Sequence, residues 1–213
     1  MLKVHSFTFN PYQENTYLIS DEENNCLIID PGMYNYKEED TFREYISEHN
    51  LKPIQLLNTH CHIDHVLGNH FIYEEYGLIS SFHEGEISTF VSVTAYAPQM
   101  GIPYTQAPIA KKFLKDTDTL RLGKHELQII YAPGHSPAHL CFYSPDYGFL
   151  IGGDVLFKNS IGRTDLPGGN HEQLLKNIKE KIYTLPDETL VYPGHGPTTT
   201  IGSEKKSNPF VTA

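Results

Sequence analysis

The sequence predicts an α/β protein in which two packed sheets are flanked by helices. Strand-like runs occur in both halves of the chain, each half also carries helical segments, and no short-period repeat, low-complexity tract or linker interrupts them. Because such elements bury their apolar faces in layers, two halves of this kind favour two sheets with helices outside them. With 213 residues, the chain is long enough to bury a sizeable core as a single domain over residues 1–213.

The strand-like runs are short, rich in apolar residues and bounded by turn residues. In the first half they lie at residues 4–9, 15–20, 26–30 and 54–57. In the second half they lie at residues 120–122, 126–131, 140–143, 148–151 and 190–192. The first two runs of the second half are predicted to form a hairpin that turns at Gly123 and Lys124.

Three helices are predicted from apolar residues that recur three and four positions apart. The first spans residues 38–50. The second begins with Asp64 as its N-cap, spans residues 65–76 and ends at Gly77. The third begins at Asn170, in a pattern that resembles a capping box.

Residues 80–118 follow this rhythm least well, because prolines and aromatic residues are interspersed through the segment. One interpretation is a lid or pocket wall that includes Tyr96, Met100 and Tyr104. The other is a helix and loop that cross over one edge of the fold and fill the core. The pattern alone leaves both interpretations open.

The composition is that of an acidic globular protein. A net charge of −10 argues against a nucleic-acid partner, which needs a basic face. No apolar run approaches the roughly 20 residues of a membrane span, and residues 1–7 lack the apolar core of a secretory signal, so we expect no membrane partner and a cytoplasmic location. The cysteines, Cys26, Cys61 and Cys141, are odd in number and far apart, which argues against a disulfide framework.

A dense cluster of histidines follows the predicted strand at residues 54–57, in the pattern His60-x-His62-x-Asp64-His65. From the frequencies of His and Asp, on the order of 0.002 chance matches to this pattern are expected in such a chain. Alternation past the strand end directs His60 and His62 to the same side, where both imidazoles can bind one cation, and it points Cys61 away. Asp64 and His65 lie at the turn into a helix and can bind a second cation nearby.

Three further candidates each follow a predicted strand and are each preceded by a glycine. They are His135, Asp154 and His195. A glycine at that position lets the backbone turn tightly or come close to a ligand. Together with the histidine cluster they supply seven nitrogen and oxygen ligands at strand ends, enough for two metal ions that share a carboxylate.

These motifs, in this order, resemble those of the metallo-β-lactamase superfamily, and residues 29–32 match an early motif of it. The resemblance covers nearly the whole chain and implies an αββα sandwich with the site at one edge between the sheets. It also implies that His60, His62 and His135 hold a first metal ion, that Asp64, His65 and His195 hold a second, and that Asp154 bridges them. Asp30 is then either a residue that orients a ligand or a turn former.

Within the superfamily, residues 162–169 and 193–199 most resemble the glyoxalase II-like, or hydroxyacylglutathione hydrolase-like, branch. The chain ends soon after His195, so the C-terminal helical domain of glyoxalase II is not expected. Arg163 stands near the position of a glutathione-binding lysine, and no tyrosine follows it within the motif at residues 162–169. The carrier thiol is therefore left open, and Arg163 is expected either to bind a substrate carboxylate or to form a buried structural pair with Asp165.

The resemblance implies a metal-dependent hydrolase that acts on a small molecule. A divalent ion lowers the pKa of bound water to about 7 and supplies a hydroxide nucleophile at neutral pH, which Asp64 is expected to orient or to deprotonate. An acyl thioester is the expected substrate, because a thiol of pKa about 8.5 departs as thiolate without a general acid. Five other histidines could serve as such an acid, but each is expected to be structural or at the surface: His70, His83, His125, His139 and His171.

Two divalent ions are expected, with zinc favoured over iron or manganese, although imidazole and carboxylate ligands suit all three. Residues 162–165 also resemble persulfide dioxygenases of this fold, which bind one iron through two histidines and one aspartate, whereas residues 193–196 look more like the hydrolases. A non-enzymatic metal-binding protein is disfavoured, because mixed His and Asp ligation without thiolate is more typical of open catalytic sites. The oligomeric state is not predicted.

Overall fold

The computed structural model of the chain describes residues 1–109 and 112–212. The chain falls into two units, one of residues 1–114 with 121–125 and the other of residues 115–120 with 126–213. Two mixed sheets with accompanying helices are present, as the sequence predicts. Among the described residues, no helix has both the length and the apolar character needed to cross a membrane.

The first sheet has five strands in the order in which they occur along the chain. They are β1 (Lys3–Phe9), β2 (Glu14–Ser20), β3 (Asn25–Ile29), β4 (Lys52–Leu57) and β5 (Ser80–Ser81). The first three strands are antiparallel, and β4 and β5 join in parallel. The parallel strands β3 and β4 therefore end at the same edge of the sheet, and the histidine cluster begins there.

Helix α1 (Tyr36–Glu48) covers part of this sheet and confirms the first predicted helix. It begins at Asn35, whose side chain accepts a hydrogen bond from the Glu38 amide at 3.2 Å. Phe42 and Ile46 on its inner face are buried in a cluster with residues of β2, β3 and β4. Burial of one such side chain contributes about 1.5–3 kcal/mol.

The second predicted helix is wrong in its start and in its continuity. It is divided into α2 (Ile63–Val66) and α3 (Asn69–Tyr76), and the N-cap is His62 rather than Asp64. The break occurs because the Gly68 amide donates to the Pro31 carbonyl at 2.7 Å, a contact made across the fold rather than along the helix. The predicted end at Gly77 is confirmed, since this residue adopts a left-handed conformation with φ of 68°.

The segment at residues 80–118 contains helix α4 (Ile87–Tyr96), which is flanked by short 3₁₀ turns. Phe90 and Val93 of this helix are buried against Phe82 and Ile63, so the segment fills core in the first unit. Ala110 and Lys111 of the segment lie outside the described residues. The lid or pocket-wall interpretation stays a prediction, as does the single domain over residues 1–213.

The second sheet has six strands in the order β13-β12-β9-β8-β7-β6. They are β6 (Thr119–Leu122), β7 (His125–Tyr131), β8 (Leu140–Ser144), β9 (Phe149–Gly153), β12 (Leu190–Pro193) and β13 (Thr199–Thr200), while β10 (Leu156–Phe157) pairs with β11 (Ser160–Ile161). Strand β12 lies parallel to β9, so the residues that follow these two strands emerge at the same edge.

Two helices accompany this sheet, α5 (His171–Asn177) and α6 (Ile201–Ser207). The predicted start of α5 is confirmed, because the Asn170 side chain accepts from the Gln173 amide at 3.0 Å. A π-helical turn continues α5 and buries Ile178 against the core of the second unit.

A stack of three rings joins β1 to α1. The Tyr45 ring lies between the rings of His5 and His49, with centroids 3.9 Å away on each side. Burial lowers the pKa of His5, and the nearby His49 lowers it further. The folded protein therefore disfavours a proton on His5.

We predict that the protein loses stability as the pH falls below about 6.5, and that a His5→Phe variant loses less. Because folding lowers the pKa of His5, the unfolded chain binds more protons than the folded one between the folded value and the unfolded value of 6.5. The stability that His5 contributes is present above pH 6.5. It is lost as the pH falls from 6.5 to the lower pKa of His5 in the folded protein. Thermal unfolding of both proteins from about pH 7.5 to about pH 5.5 measures the difference.

The matched control for this prediction is His171→Phe, which changes an exposed histidine at the start of α5. Its unfolding temperature should follow that of the wild type across the pH range. A His5→Phe profile with the wild-type slope would contradict the prediction.

Candidate metal centre

The structure brings together the four candidate ligands that follow β4. The rings of His60 and His62 have centroids 4.7 Å apart, and those of His60 and His65 are 4.1 Å apart. The His65 Nε2 atom lies 3.7 Å from Oδ2 of Asp64. His60 and His65 are fully buried, whereas the Asp64 side chain is 14% exposed. A compact group of imidazoles and a carboxylate thus lies at the edge where β3 and β4 end.

Asp30 organises this group from the end of β3. Its carboxylate accepts hydrogen bonds from the Thr59 amide at 2.7 Å, the Thr59 hydroxyl at 2.6 Å and Nδ1 of His65 at 3.1 Å. Its backbone is also left-handed, with φ of 49°, a conformation that Asp tolerates better than most residues. Asp30 therefore combines the two roles that the sequence left open, because it turns the chain and orients a candidate ligand.

The same hydrogen bonds define which ring nitrogens carry protons. The Thr59 hydroxyl has one proton, and it donates this proton in a hydrogen bond to the Asp30 carboxylate. Thr59 Oγ1 can therefore only accept from Nδ1 of His60, at 3.0 Å. Nδ1 of His65 likewise donates to Asp30. Both rings then carry the proton on Nδ1 and the lone pair on Nε2, which is the arrangement seen in metal-binding histidines held by an outer partner.

Cys61 faces away from these rings, into the apolar cluster around α4. It is fully buried among Ile63, Phe82 and Phe90, and burial raises the pKa of its thiol well above the usual range. Its amide donates to the buried carboxylate of Glu86 at 3.1 Å. Sequence reasoning missed Glu86, because nothing in the turn before α4 signals a contact with a residue 25 positions earlier.

Glu14 is a second carboxyl group that the sequence did not reveal. It is fully buried at the start of β2, with Oε1 at 3.9 Å from Nδ1 of His65 and Oε2 accepting from the Thr16 hydroxyl at 3.0 Å. Burial raises the pKa of Glu14 well above its usual range, and the nearby His65 opposes this effect. A Cβ atom at Gly32 would come within 2.0 Å of Oε2, so the chain passes Glu14 closely only because glycine stands there.

In the second unit, His135, Asp154 and His195 follow β7, β9 and β12 respectively. Oδ2 of Asp154 lies 3.5 Å from Nε2 of His135 and 3.5 Å from Nε2 of His195. All three side chains are at least partly buried, and His195 is the most exposed at 25%. A single carboxylate oxygen at equal distance from two imidazoles has the geometry of a ligand that can share a cation with each.

The orientation of His135 depends on the loop at residues 162–165. Its Nδ1 donates to the main-chain carbonyl of Arg163 at 2.8 Å, which places the lone pair on Nε2. A Cβ atom at Gly162 would come within 1.9 Å of the Asp154 carbonyl and 3.0 Å of Nδ1 of His135. This part of the loop therefore requires glycine so that it can approach both candidate ligands.

The Arg163 side chain pairs with Asp165 through two hydrogen bonds of 2.7 Å, which was one of the two arrangements expected for it. The pair is not buried, however, since the two side chains are 61% and 68% exposed. The expectation of a buried link is therefore wrong in its burial. The ion pair lowers the pKa of Asp165 to about 2 and is too exposed to contribute much stability.

His139, which was expected to be structural or at the surface, is a structural residue, but its partner could not be predicted from the sequence. His139 is fully buried, and its Nε2 accepts a hydrogen bond from the Asp154 amide at 3.0 Å. Its position four residues after His135 was the only signal in the sequence.

The donors of both units suit a divalent metal ion. In the first unit, ligand atoms of Asp30, His60 and His65 lie within 4.8 Å of one another. The candidate ligands of both units are imidazole nitrogens and carboxylate oxygens, a donor set that fits zinc, iron or manganese. The cysteines, all buried, belong to neither set of candidate ligands.

Comparison with known families and proteins agrees with these features. The family model described as the metallo-beta-lactamase superfamily matches residues 9–195. The probable metallo-hydrolase YqgX of Bacillus subtilis is 38% identical over 213 residues, which cover 99% of this chain and 98% of that protein. The hydroxyacylglutathione hydrolase GloC of Haemophilus influenzae is 37% identical over 218 residues, which cover 100% of this chain and 99% of that protein.

Solved structures resemble the chain over nearly its whole length. The BLEG-1 B3 metallo-beta-lactamase has a TM-score of 0.90 and 33% identity, over 99% of this chain and 100% of that one. TTHA1623 in a di-iron-bound form has a TM-score of 0.86 and 34% identity, over 97% and 100%. ETHE1 from Myxococcus xanthus has a TM-score of 0.78 and 27% identity, over 97% and 83%. The chain therefore belongs to the metallo-β-lactamase superfamily of metal-dependent enzymes and has its fold of two mixed sheets flanked by helices.

Proposed function

We propose that the protein cleaves an acyl thioester with the help of two divalent metal ions, most favourably zinc, in the manner of glyoxalase II-like hydrolases. The observation that carries the proposal is the position of the Asp154 carboxylate, with one oxygen 3.5 Å from Nε2 of both His135 and His195. A carboxylate so placed suits a pair of neighbouring cations that share one ligand. The similarity to a hydroxyacylglutathione hydrolase supports the choice of a thioester.

The proposed ligands of the first ion are His60, His62 and His135, those of the second are Asp64, His65 and His195, and Asp154 binds both. Within the first unit, the ring separations of His60 from His62 and the approach of His65 to Asp64 support this grouping. The hydrogen bonds to Nδ1 of His60, His65 and His135 support it further, because each directs a ring lone pair to Nε2.

When bound, the two ions would lower the pKa of a coordinated water to about 7 and stabilise negative charge on the reacting oxygens. The chain supplies the remaining functions. The Asp64 carboxylate, 14% exposed, orients the attacking water or accepts its proton in addition to binding metal. No protein acid is needed for the leaving group, because a thiol of pKa about 8.5 departs as the thiolate.

The substrate is proposed as a small acyl thioester, with the carrier thiol to be decided by assay. S-Lactoylglutathione tests glutathione as the carrier, and other acyl thioesters test a broader specificity. A lactone and a phosphodiester test different bonds with the same metal chemistry. Arg163 is proposed, from the motif alone, to bind a substrate carboxylate after releasing Asp165. A cytoplasmic location and the lack of nucleic-acid and membrane partners also stay predictions.

We predict that His60→Ala and Asp154→Ala each abolish thioester hydrolysis while the protein remains folded. Loss of one metal ligand should lower kcat/KM by more than roughly 100-fold, because removal of an outer partner alone already costs 10- to 100-fold. Metal content by mass spectrometry and circular dichroism of the same samples separate metal loss from unfolding. His171→Ala, at an exposed histidine, is the control and should retain wild-type turnover. Near-normal turnover in either ligand variant would refute the assignment.

We predict that Cys61→Ser retains metal and activity. The Cys61 side chain lies in the apolar cluster around α4, so the change weakens apolar packing there. The hydrogen bond from the Cys61 main-chain amide to the Glu86 carboxylate is kept. Metal content and kcat should equal those of the wild type, with a lowered unfolding temperature as the expected effect. A Cys61→Ser protein that folds but loses metal would show that the thiol is a ligand.

The alternative function is that of a persulfide dioxygenase with one iron, and it is favoured by the resemblance of residues 162–165 to that class. The two functions differ in metal count and in oxygen use. Elemental analysis of the purified protein, with an oxygen electrode and glutathione persulfide, distinguishes them. Two metal ions and no oxygen uptake are expected, whereas one iron per chain with oxygen uptake would replace the hydrolase proposal.

A further inference from the structure

His139 is a fully buried histidine immediately before β8, and both its main chain and its side chain form hydrogen bonds. It has no exposed surface, and its carbonyl accepts from the Ala132 amide at 2.8 Å. It thereby closes the loop of residues 132–139, which carries His135. Buried polar atoms in folded proteins are nearly always hydrogen-bonded, so both ring nitrogens of His139 require partners.

The partners of His139 define its tautomer. The single thiol proton of Cys141 is directed at the Gly152 carbonyl, 3.4 Å from the sulfur. The sulfur therefore presents a lone pair to Nδ1 of His139 at 3.9 Å, which places the imidazole proton on Nδ1. Nε2 then has the lone pair, and it accepts from the Asp154 amide at 3.0 Å.

Asp154 lies just past the end of β9, where regular strand pairing stops. The residue before it, Gly153, has a left-handed φ of 50°, and its carbonyl accepts from the Gly194 amide at 2.7 Å. The amide of Asp154 is instead held by an imidazole from the neighbouring segment. The position of the Asp154 main chain, and hence of its carboxylate, depends on that contact.

We propose that His139 is a positioning residue for the metal centre. Its imidazole holds the Asp154 amide, and its carbonyl closes the loop that carries His135, so it connects that loop to Asp154. His139 thereby maintains the distance between the two candidate ligands His135 and Asp154, in which Oδ2 of Asp154 lies 3.5 Å from Nε2 of His135. The proposal rests on Asp154 and His135 being ligands, as proposed above. His139 itself touches neither the substrate nor the metal ions in this assignment.

The test compares His139→Leu with His139→Gln. Leucine fills the cavity without an acceptor, whereas the glutamine carbonyl oxygen can replace Nε2 as the acceptor for the Asp154 amide. Zinc affinity, measured by competition with a chromophoric chelator, should fall by roughly 10- to 100-fold in His139→Leu. His139→Gln should remain within a few-fold of the wild type. The matched control is His125→Leu, which removes another buried histidine, one that pairs with Glu22, and which should leave zinc affinity unchanged.

Two outcomes of this comparison would overturn the proposal. One is wild-type zinc affinity in His139→Leu, since the acceptor would then be dispensable. The other is an equal loss in His139→Gln and His139→Leu, since cavity filling rather than hydrogen bonding would then be the cause. A wild-type protein that binds no divalent metal would contradict the proposed function instead, and one that binds zinc without cleaving thioesters would contradict only the substrate.

A second measurement needs no variant and applies even where His139→Leu does not fold. Long-range ¹H–¹⁵N spectra of the metal-free wild-type protein report the tautomer of each histidine ring. His139 is expected as the Nδ1–H tautomer, with a scalar coupling from its Nε2 to the amide nitrogen of Asp154. An Nε2–H tautomer would overturn the proposal, because that nitrogen could not accept the bond.

Discussion

The Asp30 carboxylate makes the contacts on which the arrangement of the candidate ligands in the first unit depends. It accepts three hydrogen bonds, and through them it sets the Thr59 main chain, the Thr59 hydroxyl and the ring of His65. The orientation of the His60 ring also depends on Asp30. The Thr59 hydroxyl accepts from Nδ1 of His60 because its own proton is donated to Asp30. Asp30 itself adopts a conformation that is unfavourable for most residues, which is the kind of strain that folded structure maintains near functional sites.

In the second unit, the candidate ligands His135 and Asp154 are held largely through main-chain groups. The Arg163 carbonyl holds Nδ1 of His135, and the Asp154 amide is held by His139. Gly162 allows the loop to come this close to both candidate ligands, His135 and Asp154. Ring direction and carboxylate position are thus determined by buried, directional bonds, and the exposed Arg163–Asp165 ion pair has little part in them.

Seven candidate ligands and the strands that precede them could be singled out from the sequence, together with the end of α3 and the start of α5, because these features depend on local spacing. The four candidates from His60 to His65 stand out by density alone, and a preceding glycine marks His135, Asp154 and His195. Glu14, Glu86 and His139 could not be assigned in this way, because their contacts join residues far apart in the sequence or depend on ring orientation. The break before α3 escaped prediction for the same reason, since it depends on a carbonyl of Pro31.

The contact between Arg163 and His135 has a consequence for how this protein diverges. The group that orients the histidine is a peptide carbonyl, which all twenty amino acids carry, while the guanidinium lies in solvent. Mutation at this position can therefore reverse or remove a surface charge without touching the histidine. Substitutions at residue 163 can therefore change the charge of the loop surface and still keep the carbonyl that orients His135. In this loop, Gly162 is the residue that drift cannot readily replace.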